Sequence, residues 1–161
     1  MSWYKLVPAL MVIAIGLVGL GGCGESGKTD GGGTFYVESA HIQESGDHLD
    51  INAEYPVMSG FPDAEQLNAE IKEEVDTAAQ EVRDAALELE NREGFSATLN
   101  STYQYFYAGK IASIWISSDN YTGGAHGIYW LDSYTLNVGN GWVYTFSELF
   151  QQDSGGVNYV T

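Results

Sequence analysis

Asn120-Tyr121-Thr122-Gly123-Gly124-Ala125-His126-Gly127 is the stretch of this 161-residue chain whose residue types best suit chemistry. An imidazole can serve as general base or metal ligand near neutral pH. Asp119 and Asp132 lie close enough in sequence to act as its orienting carboxylate. Gly123, Gly124 and Gly127 mark a backbone that needs left-handed dihedrals or a close approach. Three readings are open: catalysis by His126, ligand contact through Tyr121, Thr122, Gly123, Gly124 and His126, or a structural turn. The other histidines, His41 and His48, have no ligand spacing between them. No His-Glu-x-x-His, Gly-x-Ser-x-Gly or calcium-loop pattern occurs. The sequence therefore predicts no catalytic residue, no metal and no cofactor, and offers the loop as a candidate ligand contact.

Cys23 is the second reactive group, and it is the only cysteine. One thiol excludes an internal disulfide framework and a cysteine-based zinc site. It follows Lys5, the uncharged apolar run Leu6–Leu20 and the small residues Gly21 and Gly22. The run is shorter than the roughly 20 residues that span a bilayer and fits a signal-peptide core. Leu20-Gly21-Gly22-Cys23 resembles the bacterial lipobox, in which small residues admit the peptidase and the thiol takes the diacylglycerol. Residues 1–22 are thus read as a lipoprotein signal peptide. Residues 23–33 are read as the lipidated Cys23 and a flexible Gly-rich tether reaching on the order of 20 Å. The partner implied is the lipid bilayer, through two or three acyl chains on Cys23. The location implied is extracytoplasmic, at the outer membrane or the cell surface, since residue 24 is Gly rather than Asp.

Charge narrows the partners further. The formal net charge is −16, from 6 basic and 22 acidic residues. Removing residues 1–22 takes away Lys5 and no acid, so the mature chain is more acidic still. Such a chain lacks the cationic footprint that binds nucleic acid. Eleven acids fall between Asp63 and Glu93, against Lys72, Arg83 and Arg92. They form either a solvated face or a surface that steers a basic partner. Tyr103, Tyr105, Tyr107, Trp115, Tyr129, Trp130, Tyr134 and Trp142 either fill strand faces or present an aromatic platform for sugars.

These residues must be positioned by a small set of elements. Residues 35–42 and 49–57 read as a hairpin about Ser45-Gly46-Asp47, with Leu49, Ile51, Ala53, Tyr55 and Val57 on one face. A long helix follows, with Asp63 and Gln66 as a capping box and Gly94 beyond its end. Its apolar positions are Leu67, Ile71, Val75, Ala78, Val82, Ala85, Ala86 and Leu89. Residues 97–107, 111–117, 128–138 and 142–146 read as further strands. Gly109-Lys110 and Asn140-Gly141 form turns, and 111–117 is central in its sheet. Ser147 to Phe150 reads as a capped helical turn. The fold class expected is α+β: a mostly antiparallel sheet with one long amphipathic helix packed on it.

Leu67-Asn68-Ala69-Glu70-Ile71 on the helix, paired strands, Tyr121-Thr122-Gly123-Gly124-Ala125-His126-Gly127, a hairpin and Phe146-Ser147-Glu148-Leu149-Phe150 occur in that order. In this order the chain resembles the PdaC/RsiV-like bacterial envelope domains. The resemblance implies a PdaC N-terminal-like domain over 34–127 and the start of an RsiV-type domain over 128–161, truncated at the end of the chain. Some relatives bind lysozyme within an anti-sigma factor, and others stand beside a peptidoglycan deacetylase. This chain has neither an anti-sigma segment nor the deacetylase metal motifs, so no catalytic residue carries over. The expectation is a non-enzymatic envelope lipoprotein domain that binds a peptidoglycan fragment or a basic protein such as lysozyme. The alternative is a peptidoglycan-modifying enzyme, or a domain accessory to one.

Overall fold

A computed structural model describes residues 35–89, 91–92 and 94–149. The lipobox, Cys23 and the tether lie outside the described residues, as does the chain from 150 onward. Strand β1 (Tyr36–Ser45) turns back into β2 (Leu49–Ser59), with the Gly46 amide donating to the Leu49 carbonyl across 2.8 Å. Helix α1 (Ala64–Leu89) then carries the chain to β3 (Ala97–Ala108), β4 (Ile111–Tyr121) and β5 (Ile128–Asn137). Two short elements follow, β6 (Trp142–Val143) and α2 (Phe146–Leu149). The six strands form one mixed sheet in sequence order, antiparallel except where β3 lies parallel to β2. That exception comes from α1: a hairpin reverses the chain, whereas a helical crossover returns it in the same direction.

The helix buries Leu67, Ile71, Val75, Ala78, Ala79, Val82, Ala85, Ala86 and Leu89. This is the stripe that the 3.6-residue period predicts. It lies over Ile51 and Ala53 of β2, Ala97 and Leu99 of β3, and Ile114 and Ile116 of β4, all in one apolar core. Arg83 fastens α1 to β1, donating from Nε and Nη2 to the Glu44 carboxylate at 2.6–3.2 Å. Nearby Glu44 holds the guanidinium pKa above its usual value, although partial burial works against the shift.

Several local expectations are corrected. Asp63 starts the helix through its backbone carbonyl, which accepts from the Gln66 and Leu67 amides. The Gln66 side chain donates to Glu70 instead of closing a capping box. The helix ends at Leu89, before Gly94, which takes a left-handed turn on the way to β3. Val57 is 37% exposed and Met58 is 1% exposed, which breaks the expected alternation of β2. By then β2 has left β3, with which it pairs only over Leu49–Ala53. The buried Phe35 ring lies 5.1 Å from the Tyr107 ring and 6.0 Å from that of Phe61. Strand β4 is central, but only one of its faces is covered, and Trp115 on the other is 47% exposed. The expected return strand over 142–146 pairs only at Trp142 and Val143. Thr145, rather than Ser147, caps α2: its amide and hydroxyl both donate to Glu148 at 2.8 Å.

Candidate ligand-binding groove

Helix α1 covers β2 and β3 and reaches only the near side of β4, so the inward face of β5 stands beside the helix rather than beneath it. The space between them is an open groove of about 660 Å³. One wall is a ridge of α1: Glu70, Glu73, Glu74, Thr77, Ala78 and Glu81. Spacings of three and four place these side chains on one face, with neighbouring Cβ atoms about 5–6 Å apart. The other wall is Ile128 and Trp130 of β5, and Asn120 of β4 closes the floor. No Lys or Arg lines the groove. Lys72 pairs with Asp76, and Arg83 is held by Glu44.

A small polar cluster interrupts the apolar core next to the groove. Ser101, Ser118 and Asn120 are the buried polar side chains among the described residues, and all three lie together. Ser101 is paired with Ser118 in register, and the Ser118 hydroxyl donates to that of Ser101 across 3.0 Å. Asn120 is 6% exposed, and its Oδ1 accepts no hydrogen bond. Buried side-chain acceptors are normally satisfied, so an orphan on a groove floor marks a place where a donor is missing. A pocket of about 20 Å³ beneath, bounded by Glu74, Ser101, Ser118, Trp130 and Asp132, holds roughly one water at most.

Tyr134 flanks the groove and donates its hydroxyl to Glu74 Oε2 across 2.9 Å. Burial, together with the Glu74 carboxylate, raises the phenol pKa far above its ordinary value. Trp130 and Tyr134 thus stand on the groove side. Trp115, Tyr129 and Trp142 occupy the opposite, uncovered face of the sheet, where Tyr129 meets Ser117 at 2.6 Å. Tyr103, Tyr105 and Tyr107 pack against the core.

The glycine-rich loop forms the end of the groove. It connects Asn120 to Ile128, which are paired in register and both line the groove. Gly127 sits so close that a Cβ would lie 2.6 Å from the Asn120 carbonyl oxygen. Gly123 has φ +94°, and a Cβ there would meet the Leu89 side chain at 2.9 Å, so the loop packs on the end of α1. Tyr121 is half-buried, and Thr122 and His126 are exposed. His126 Nδ1 lies 3.0 Å from the neighbouring Gly127 carbonyl. Neither expected carboxylate orients it. Asp119 accepts from Asn100 on the uncovered face, and Asp132 points into the small pocket. Among the described residues, no three His, Cys, Asp or Glu side chains converge as metal ligands. Sequence reasoning found the loop and the acids but missed Ser101 and Ser118 and gave Asn120, at the head of the loop stretch, no role. Their signal was a polar residue at an inward position of an alternating strand.

The family model described as Deacetylase PdaC matches residues 42–129, more than half of the chain. The span runs from β1 through the helix and the loop into β5. A DUF3298 family protein from Pseudomonas aeruginosa is similar in structure, with TM-score 0.47 and 13% identity. A DUF3298 family member from Bacteroides fragilis gives TM-score 0.35 and 19% identity. These matches cover 78% and 69% of this chain but only 61% and 58% of those proteins, so the chain spans about three fifths of their length. No curated protein matches.

Proposed function

The chain belongs to the PdaC family, and from that premise we propose that it is a non-enzymatic ligand-binding domain of the bacterial envelope. In this reading residues 1–22 are removed as a signal peptide, Cys23 is acylated, and residues 23–33 hold the folded part off the bilayer. Residues 34–127 form the PdaC-type domain and 128–161 the start of an RsiV-type domain. The ligand is a basic protein such as lysozyme or a peptidoglycan fragment. The observation that carries the proposal is the groove itself. Four helix carboxylates face Trp130 and Ile128 with no cation among them. Acidic and aromatic surfaces together suit a cationic partner that also has apolar or sugar surface to bury.

The test is binding of lysozyme and of muropeptides to the full chain across a salt series. A specific interface survives at ionic strengths where the Debye length falls to about 3 Å, whereas attraction by net charge alone collapses. Loss of all binding by physiological salt, for both ligands, overturns the proposal. The second reading, a peptidoglycan-modifying enzyme or its accessory, is favoured by the family's description as a deacetylase. Release of acetate from muropeptides that His126→Ala abolishes would establish it.

A further inference from the structure

We propose that the groove between α1 and β5 is a recognition site for a primary ammonium group on an apolar or sugar stem. Asn120 Oδ1, closed to solvent without a ligand, would accept one of its hydrogens once the side chain turns into the groove. This deepens the binding reading above by naming the chemistry taken at that site. Three independent features converge here. The first is the orphan: Asn120 is 94% buried by its 6% exposure, lines the groove and leaves Oδ1 without a donor. The second is charge: Glu70, Glu73, Glu74 and Glu81 offer acceptors only, and among the described residues no Lys or Arg lines the groove with them. The third is the opposite wall, where Trp130 and Ile128 supply an aromatic ring and an apolar side chain for the stem.

Each feature constrains the ligand differently. The orphan acceptor needs a donor, which excludes carboxylates and phosphates. An ammonium carries three donors and no acceptor, so it can serve Asn120 and two carboxylates at once. Such charge-assisted bonds are the stronger kind. Trp130 favours a cation near its ring and contact with the stem. Glu74 is already fixed from behind by the Tyr134 hydroxyl, so one wall carboxylate is oriented before any ligand arrives. A neutral amide in place of the amine loses both the charge and two of the donors.

Two sources carry this chemistry, a lysine side chain and a deacetylated amino sugar, and the probes separate them. Nα-acetyl-lysine methylamide and the glucosamine disaccharide are titrated into the full chain, each beside its N-acetylated counterpart. At least one free amine is expected to saturate, with its acetylated form bound about tenfold or more weakly. Glu81→Gln and Trp130→Ala should each weaken the amine by about three- to tenfold. Glu65→Gln and Glu88→Gln, exposed on α1 outside the groove, should leave it unchanged. Because Glu81 is exposed, Glu81→Gln reports on binding even if Trp130→Ala disturbs folding. Equal loss from Glu65→Gln and Glu81→Gln would reduce the effect to diffuse charge and overturn the site. So would equal binding of amine and amide, or no saturation by either amine. Lysozyme or muropeptide binding that survives Glu81→Gln and Trp130→Ala would refute the site while leaving the broader function standing. Amine binding in the groove without either macromolecular ligand would do the reverse.

Discussion

Asn68 does a strand's work from a helix, and removing it should cost more than its half-buried position suggests. Where β2 parts from β3, Met58 loses the neighbour that would pair its backbone. The Asn68 carboxamide replaces that neighbour. Its Oδ1 accepts from the Met58 amide at 2.8 Å, and its Nδ2 donates to the Met58 carbonyl at 2.7 Å. Each such bond is worth about 1 kcal/mol net, and each backbone group left unpaired in a buried place costs about 1–3 kcal/mol. Met58 is 1% exposed, so water reaches those groups poorly. Asn68→Ala should therefore lose about 2–4 kcal/mol. With a urea slope of about 1–3 kcal/mol per molar, the unfolding midpoint should fall by roughly 1–2 M. Asn68→Asp carries a further signature. Ionised, it sets a carboxylate against the Met58 carbonyl; protonated, it regains one donor and one acceptor. Its folded pKa is thus raised, and its stability relative to the parent should recover as pH falls through that raised value, with recovery complete by about pH 4. Gln80→Ala, on the exposed face of α1, is the control. An Asn68→Ala stability within about 0.5 kcal/mol of the parent would refute the strand-substitute argument.

Two further outcomes concern the loop and the groove wall. Gly127→Ala should destabilise by about 1–3 kcal/mol in thermal unfolding, because its Cβ would meet a backbone oxygen that cannot move without opening the β4–β5 pair. Gly124→Ala, whose Cβ would have only the His126 carbonyl at 3.8 Å, should be nearly neutral, and equal effects at the two sites would refute this. Burial raises the Tyr134 and Tyr103 pKa values, with Glu74 adding to the Tyr134 shift. A phenol whose pKa is raised on folding contributes stability that is fully present below its unfolded value near 10 and is lost as pH rises through the folded value. Stability should therefore decline in alkali above about pH 10, and Tyr134→Phe should flatten the decline; an unchanged slope would count against the Tyr134–Glu74 contact.

The elements were legible because each follows a local rule. The α1 stripe from Leu67 to Leu89 obeys the helical period, and the Gly109 and Gly141 turns carry positive φ as their residue types predict. The parallel β2–β3 pair was not legible, because periodicity reports which face is apolar and says nothing of direction. Val57, expected on the apolar face of β2, is exposed instead. The alternation of β2 holds through Tyr55 and then breaks, and nothing within 49–59 announces where β3 leaves.

The candidate site divides along the same line. The loop is recognisable from its glycines, yet His126, its most reactive group, touches only the next residue's carbonyl. Asn120 on β4 lines the groove, whereas Ser101 on β3 and Ser118 on β4 bound the small pocket. The glycines then have a structural reason that is independent of catalysis. Gly123 lets the loop settle on Leu89 at the end of the helix, and Gly127 lets the chain turn back against Asn120. Both contacts hold the rim of the groove beside Asn120 Oδ1, a buried amide oxygen that lacks a donor. The loop's value to the site therefore lies in where it places Asn120 and Ile128. On this argument, substitutions at Gly127 should disturb ligand contact in the groove more than substitution of the exposed imidazole.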